Sequence, residues 1–417
     1  MLVADLLAFA TRWKPKRTSM IIDPALQGIG GHHYSAAERL AAETGAVGGG
    51  YRILCSSRAD SNVISTLKAE RCFSESIYGR TDAGMLEFER RAKAISKDLV
   101  RMVRWTRPDL LILPTCDPVL LHAAALSIRS IGGWQPTILA WFLYPPEDAQ
   151  AQAEYRVAGV SLASVLSSPD QVHACCETTA AMRLLEGCLP FPLERRPGPS
   201  ALANAIWSPE WGIDAPSCGP IVACVGHANL GKGYALLPDA LLLATANDDS
   251  VVFRVHGFID RRDAVQDFET FRRLSALGPN VRVHNGVLST QRYQEFIAAA
   301  DILLLPYAPE VYRSRGSGVF NEAERLGKPV IAPRECAFAE EAFAEGRAVA
   351  IEKLNPRGIA DAIAAAISGL SQLKERAAIH AGKRKSDGLQ PLLTKLLKVS
   401  PGPLPSQTLV ARTSAIE

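Results

Sequence analysis

The sequence predicts an α/β protein of two tandem domains, each a parallel sheet wound with helices, facing each other across a cleft. Two observations carry that prediction. Residues 18–195 alternate short apolar runs with longer amphipathic stretches, and the same alternation restarts after residue 220, the pattern of strands feeding covering helices. Between the two, Pro190, Pro192, Pro197, Pro199, Pro209, Pro216 and Pro220 punctuate a stretch that holds neither a long helix nor a central strand. The expected layout is a basic segment at 1–18, a first domain at 19–195 and a linker at 196–219. A second domain follows at 220–370, then a basic helical region at 371–399 and a disordered tail at 400–417.

In the first domain the runs at 19–23, 51–55, 109–113, 136–143 and 162–166 read as strands. The clearest helix is 84–105, where Leu86, Phe88, Ala92, Ile95, Leu99 and Val103 recur at helical spacing among charges. In the second domain, strands at 221–225, 251–255, 281–284, 301–305 and 329–332 alternate with helices at 234–246, 261–276, 290–299, 318–326 and 356–367. A ligand is expected at the carboxyl ends of the strands, in the crevice between the domains.

Composition narrows the function classes. The chain has 417 residues, 47% of them apolar and 21% charged, which excludes a disordered or collagen-like chain. Its net charge of +3 does not mark a nucleic-acid binder. The charge is uneven: residues 1–17 carry a net +3 and residues 371–417 carry eight basic against three acidic residues, so the middle is acidic. Nine scattered cysteines without a paired spacing indicate a reducing cytoplasm and buried thiols. No apolar run is long enough to span a bilayer, and the positive charges of the first segment follow its apolar stretch, the reverse of a secretory signal.

Three local patterns point to chemistry. Gly226, Gly231, Lys232 and Gly233 stand between a strand and a helix at the spacing of a phosphate-cradling loop, although Gly233 sits where a magnesium-binding hydroxyl belongs. A glycine turn with a lysine at a helix start still suits a diphosphate, the alternative being a plain strand-to-helix turn. The first strand ends in Asp23 and Pro24, followed by Gly28, Gly30, Gly31, His32 and His33. This is half of a dinucleotide fingerprint, and no acid at the tip of the second strand holds a ribose; only Arg58 is there. What is left is close backbone approach to a ligand, or a tight turn made for packing. The two histidines lack a third metal ligand at suitable spacing, so no metal is expected. In the third pattern, an apolar strand leads through Pro306 and Tyr307 to Arg313, Arg315, Gly316, Ser317, Gly318 and Val319, with Glu322 one turn into the next helix. Backbone N–H groups there suit phosphate oxygens. Glu322 suits sugar hydroxyls, or is simply an acid placed by the helix dipole.

Taken together, Gly226 to Gly233, Gly286 with Val287, residues 301–307 and residues 317–329 resemble the nucleotide-binding half of family 4 (group 1) retaining glycosyltransferases. The resemblance is specific over about 220–370 and looser before it. It implies the GT-B fold of two Rossmann-like domains and metal-independent transfer of a sugar from a nucleotide-sugar donor with retention. The departing phosphate would help to deprotonate the acceptor, and the last helix would cross back to the first domain. By position, Lys232 resembles the diphosphate-binding lysine and Glu322 the ribose-binding acid. Gly286 and Val287 resemble the base-binding loop, and Gly30 and Gly31 the glycine loop facing donor and acceptor, which puts His32 and His33 on the acceptor side. Lys232, Arg313, Arg315 and Glu322 are the expected catalytic group. Gly226, His227, Gly231, Ser317, Gly318 and Val319 complete the donor site.

Three departures from the family pattern stand out. Ser314 replaces the first acid of the paired-glutamate motif, His227 replaces an arginine, and residues 141–146 lack the usual histidine. Glu310 is the nearest acid in sequence to the gap at 314, at a spacing that does not suit the motif. The functional expectation is a cytoplasmic hexosyltransferase of bacterial-type surface polysaccharide or glycoconjugate assembly. It would act on a glycan or lipid-linked acceptor, with no cofactor and no nucleic-acid partner. Its basic ends, with Leu2, Leu6, Phe9 and Trp13, would meet an anionic membrane surface or else stay solvated. The alternatives are a sugar-nucleotide binder without turnover and, third, a phosphate-loop ATPase or kinase.

Overall fold

Apolar β-rich runs separated by capped helices assemble into two sheets. The computed structural model describes residues 17–29, 31–78, 84–199, 219–228, 230–257, 264–286, 288–384 and 388–397. In the first sheet, β1 (Thr18–Asp23), β2 (Gly50–Ser56), β3 (Glu70–Phe73), β4 (Leu110–Leu113), β5 (Thr137–Trp141), β6 (Val172–Cys176) and β7 (Leu193–Arg195) lie in the order β3-β2-β1-β4-β5-β6-β7. In the second, β8 (Ile221–Cys224), β9 (Val252–Gly257), β10 (Val281–Asn285), β11 (Ile302–Leu304), β12 (Val330–Pro333) and β13 (Ala348–Ile351) lie in the order β10-β9-β8-β11-β12-β13. Neighbouring strands are parallel throughout the described residues. The expected fold class is therefore the observed one. The strand order reverses between β1 and β4 and again between β8 and β11, which opens a crevice at each sheet's carboxyl edge.

Parallel strands covered on both faces must be apolar on both, and β4 (Leu-Leu-Ile-Leu) and β8 are buried at every residue. Helix starts are written in the loops that leave the strands. Asp117 accepts a hydrogen bond from the Leu120 N–H at 2.7 Å, Asp148 from Ala151 at 2.7 Å and Ser317 from Phe320 at 3.2 Å, each capping an orphan donor. Two apolar cores flank each sheet. Helix Leu389–Leu397 crosses back to the first domain, where Leu389, Leu392, Leu393, Leu396 and Leu397 join Ile21, Leu40 and Ile53 in one core.

One expected strand is wrong. Residues 162–166 are the end of helix Ala149–Ala163 and the loop after it; the strand lies later, at β6. The Asp148 cap commits that stretch to helix, and a short apolar run cannot by itself distinguish strand from helix end. The edge strands β3, β7 and β13 carry no strong pattern in the sequence, and β7 lies within the proline-rich stretch as an edge, where proline neighbours are tolerated. The expected helix at 234–246 opens with a 3-10 turn, Tyr234–Leu236, before α-helix Leu237–Asn247. Residues 1–16, 200–218 and 398–417, and with them most of the basic N-terminal segment, the linker and the tail, lie outside the described residues. No described helix is long and apolar enough to cross a membrane.

Candidate active site between the two sheets

The turn leaving β8 brings a cation to the second switch point. Gly226 has φ +128°, and a Cβ there would lie 2.8 Å from Lys232 Nζ, so glycine is what lets the ammonium rest against the backbone. Lys232 Nζ stands 5.3 Å from the centroid of Tyr307, which is carried by the loop after β11. Burial lowers the Lys232 pKa, opposed by Cys224 and Glu322, and no described carboxylate lies within ion-pair distance of it. A desolvated cation without a direct counter-ion has the chemistry to pair with an anion that comes from outside.

Helix Gly318–Arg325 points its first turn at the same place. No heavy atom lies within 4 Å of where a Gly318 Cβ would stand, and Val319 Cγ2 comes within 3.9 Å of the Gly226 Cβ position. One turn further, the Tyr293 hydroxyl donates to Glu322 Oε2 at 2.6 Å, and burial pushes the Glu322 pKa up to about 7. Gly286, with φ +129° and open space at its Cβ position, accepts from His256 Nε2 at 2.8 Å, and the His256 carbonyl accepts from the Tyr234 hydroxyl at 2.6 Å. Position 233 has no room for a hydroxyl-bearing residue: a Cβ there meets the Pro306 carbonyl oxygen at 2.0 Å, at φ +68°. The geometry of a phosphate-loop kinase is thus missing where the sequence already lacks its hydroxyl.

Across the cleft, Asp23 ends β1 and is buried. Its Oδ1 accepts from the Ala25 N–H at 3.0 Å, and His33 Nδ1 donates to its Oδ2 at 2.7 Å. His33 Nε2 lies 2.7 Å from the Tyr78 hydroxyl, which is also 3.2 Å from His32 Nε2 and 3.0 Å from the Tyr144 hydroxyl. Partial desolvation, then His33, then Lys232 of the facing domain, lower the His32 pKa to about 3, so that ring is neutral. Desolvation of the hydroxyl within this cluster and the neighbouring Tyr144 raise the pKa of Tyr78, and burial raises that of Tyr144, keeping both phenols protonated.

The loop between Tyr312 and helix Gly318–Arg325 joins the two sides. The buried Ser314 hydroxyl donates to Glu147 Oε1, the Thr178 hydroxyl donates to the Ser314 carbonyl at 2.5 Å, and Asn321 Nδ2 donates to Glu177 Oε1 at 2.5 Å. Arg315 Nη2 lies 3.4 Å from Glu147 Oε2, and its Cζ lies 5.4 Å from the Tyr144 ring centroid. A Cβ on Gly316 would stand 1.8 Å from Glu177 Oε2, so glycine is what allows this approach. Glu147 of the first domain therefore places a carboxylate beside Ser314 and Arg315. Glu310 is exposed on the short helix Pro309–Tyr312.

Of the residues expected from sequence, the structure brings together Gly226, Lys232, Ser317, Gly318, Val319 and Glu322, with Gly231 alongside, its carbonyl accepting from the Ala308 N–H at 3.0 Å. His227 follows Gly226 and is half-buried, and Gly31, at φ +70°, opens the helix that carries His32 and His33. Arg315 is turned to Glu147 and Tyr144, and Arg313 is exposed without a described partner. Gly30 and Val287 lie outside the described residues. Among the described residues no group of three or more His, Cys, Asp or Glu is placed to share a metal ion. Sequence reasoning missed Tyr78, Tyr144, Glu147, Glu177 and Tyr293 as site residues. Most of them sit in loops just past a strand's carboxyl end, and that position in a parallel sheet was the available signal.

Residues 219–369 match the family model described as glycosyl transferases group 1. No curated protein matches the chain. Solved structures share the two-domain GT-B fold at low identity. A glycosyltransferase from Rickettsia africae is 15% identical, covering 93% of this chain and 100% of its own, with a TM-score of 0.64. Anabaena HepE in complex with UDP-glucose is 14% identical over 92% of this chain and 98% of its own, TM-score 0.61. Sucrose-phosphate synthase from Thermosynechococcus elongatus is 15% identical over 92% and 100%, TM-score 0.62.

Proposed function

We propose that this protein, whose second domain carries the group 1 glycosyl transferase match, moves a sugar from a nucleotide-sugar donor to a hydroxyl of a glycan or lipid-linked acceptor. The observation that carries the reading is the desolvated Lys232, held against Gly226 at the β8/β11 switch point and facing the first turn of helix Gly318–Arg325. A diphosphate placed there gains a point charge and free backbone N–H groups as negative charge builds on it during bond cleavage. Glu322 lies one turn away as acceptor for ribose hydroxyls. The proposal extends to transfer of a hexose with retention, to charge stabilisation by Lys232 and the helix start without a resident metal, and to cytoplasmic glycoconjugate or surface polysaccharide assembly. Association of the basic ends with an anionic membrane belongs to it as well, and flotation with anionic against neutral vesicles checks that part. That a HepE structure holds UDP-glucose makes UDP the first base to try.

The test is calorimetric titration with UDP-, GDP-, ADP- and CMP-sugars, with and without EDTA, followed by assay for nucleotide release. One sugar nucleotide is expected to bind unaffected by chelator, and Lys232→Ala is expected to lower donor affinity and turnover together. Unchanged kinetics in that variant remove Lys232 from the site. The second reading, a binder without turnover, is favoured by one feature: Ser314 and Arg315 are both engaged with Glu147. Donor binding with no transfer to any acceptor and no hydrolysis selects it.

A further inference from the structure

We infer that the foot of the first sheet, the edge away from the cleft, is a docking face for an anionic lipid bilayer. The inference rests on the transferase reading, in which membrane contact falls to the basic ends of the chain, and extends that contact to side chains of the folded domain.

In a parallel sheet the segments entering the strands all meet at one edge, opposite the edge that holds the site. In the first domain those segments are cationic. Arg17 precedes β1, Lys68 precedes β3, Arg101, Arg104 and Arg107 precede β4, and Arg129 lies in the last turn of the helix before β5. The acids at this edge are fewer. Asp98 is buried and accepts from Arg101 Nη2 at 2.7 Å, Asp109 accepts from the Thr18 N–H at 2.9 Å, and Asp170 stands at the entry to β6. Arg129 Nη2 donates to the Ser164 hydroxyl at 3.1 Å. Among the described residues, the exposed Lys68, Arg104 and Arg107 have no ion-pair partner, so the face carries positive charge that nothing in the domain neutralises.

Folding alone does not ask for two of these choices. Lys68, at φ +52°, and Arg107, at φ +41°, are the two described non-glycine residues in the left-handed region, where glycine is the unstrained residue. Neighbouring loops of the same edge do use glycine, Gly48 at +76° and Gly132 and Gly133 at +61° and +63°. Strain retained at a position points to a task for its side chain, and at both positions that side chain is a cation. The other choice is Trp105, 82% exposed, with Arg104 Cζ 4.6 Å from its ring centroid. An exposed indole among cations suits the headgroup layer, where the ring meets the acyl boundary and the guanidinium groups meet phosphates.

The chain also comes to this edge at both limits of its described residues. The Gly50 N–H donates to the Arg17 carbonyl at 3.3 Å, and Leu397 Cδ1 lies 2.7 Å from where a Gly49 Cβ would stand. Lys16 and Lys398 are the adjoining residues in sequence, so the basic ends join the domain at the face that carries its unpaired cations. From there β1 runs six residues to Asp23 at the cleft, about 20 Å at the rise of a strand. A domain docked by its foot holds the cleft away from the headgroups, and a lipid-linked acceptor reaches it at the end of an extended glycan.

The test is flotation of the full chain with vesicles of phosphatidylcholine containing about one-third phosphatidylglycerol, an anionic surface, against phosphatidylcholine alone. Wild type is expected to float with the anionic vesicles only and to be released as salt rises. Arg104→Gln combined with Arg107→Gln is expected to weaken partitioning about 25-fold, at roughly fivefold per cation near an anionic surface. Trp105→Phe is expected to remove the quenching of tryptophan fluorescence by brominated lipid. Arg107→Gly separates docking from folding: its melting temperature is expected to hold or rise, because the backbone strain is relieved, while partitioning falls about fivefold. Affinity for the sugar nucleotide that binds in the titration above is expected to stay within about twofold in every variant, since the foot shares no contact with Lys232. Wild type that does not float with anionic vesicles overturns the docking face. So does partitioning within about twofold of wild type in the double variant, which leaves membrane contact to the chain ends, and self-association without flotation, lost in the same variant, gives the face to a second copy instead. Each of those results leaves the transferase reading standing; failure of every sugar nucleotide to bind sinks that reading, and flotation still decides the face.

Discussion

Glu322 is a buried side chain through which pH bears on the stability of the fold. Burial raises its pKa to about 7, well above the roughly 4.3 of an unfolded glutamate. Between those values the folded chain holds a proton that the unfolded chain has released, so this group's contribution to stability falls as pH rises through that window. On the proposed reading ribose hydroxyls donate to Glu322 and favour its ionised form, so donor affinity is expected to strengthen as pH rises through about 7. Glu322→Gln keeps an acceptor for the Tyr293 hydroxyl but not the charge. It is expected to raise the melting temperature of the donor-free protein above pH 7, to weaken donor binding roughly tenfold to a hundredfold, the worth of a hydrogen bond to a charged group, and to flatten the pH dependence in calorimetry. A second residue prediction concerns Glu147. Removing it leaves the buried Ser314 hydroxyl and the half-buried Arg315 without their carboxylate, so Glu147→Ala is expected to raise the donor KM about tenfold or more, measured by initial rates. The gap at 314 was legible in the sequence because motif spacing is local. The carboxylate beside it was not, since Glu147 and Ser314 are 167 residues apart and meet only in the folded chain.

At the scale of elements, the strand-to-helix turns decide the site's geometry. Gly226→Ala places a Cβ 2.8 Å from Lys232 Nζ, too close for both to stay, and does so at φ +128°. The strain destabilises by more than about 1 kcal/mol, and the displaced ammonium is expected to abolish measurable donor binding, read by titration against thermal unfolding as the control. Central elements were legible for a physical reason. β4 and β8 are covered on both faces and write continuous apolar runs, and helix Gly84–Val103 writes its buried face as Phe88, Ala92, Ile95, Leu99 and Val103. Elements with weaker constraints were not. β3 and β7 close the edges of the first sheet and need little apolar periodicity. β6 carries His173, Cys175 and Cys176, so it lost to the more aliphatic run at 162–166, which the Asp148 cap had already assigned to a helix. The same division holds in the site. The glycines and Lys232 of the second domain lie within one loop, whereas Asp23, Tyr78, and Tyr144 with Glu147 come from three separate strand ends.

For the whole molecule, the cleft exists because two sheets with outward-facing switch points are clasped together. Part of the clasp is the Ser314 loop against Glu147 and Glu177, beside the site. The other part is helix Leu389–Leu397, which follows the helices of the second domain in sequence yet packs in the core of the first. Leu393 is fully buried there. Leu393→Ala removes its contacts and leaves a cavity, at a destabilisation of about 2–5 kcal/mol. Because the lost packing belongs to the first domain, hydrogen exchange is expected to accelerate in β1, β2 and helix Gly31–Ala46 while β8 to β13 keep their protection. Donor affinity, which on the proposed reading depends on Lys232, Glu322 and the helix start at Gly318, is expected to stay within about twofold, since sites with no shared contacts act nearly additively. Transfer to the acceptor is expected to fall, because the acceptor side of the cleft, with His32 and His33, rides on the loosened sheet. Equal loss of protection in both sheets would instead mean that the helix holds the two domains as one cooperative unit.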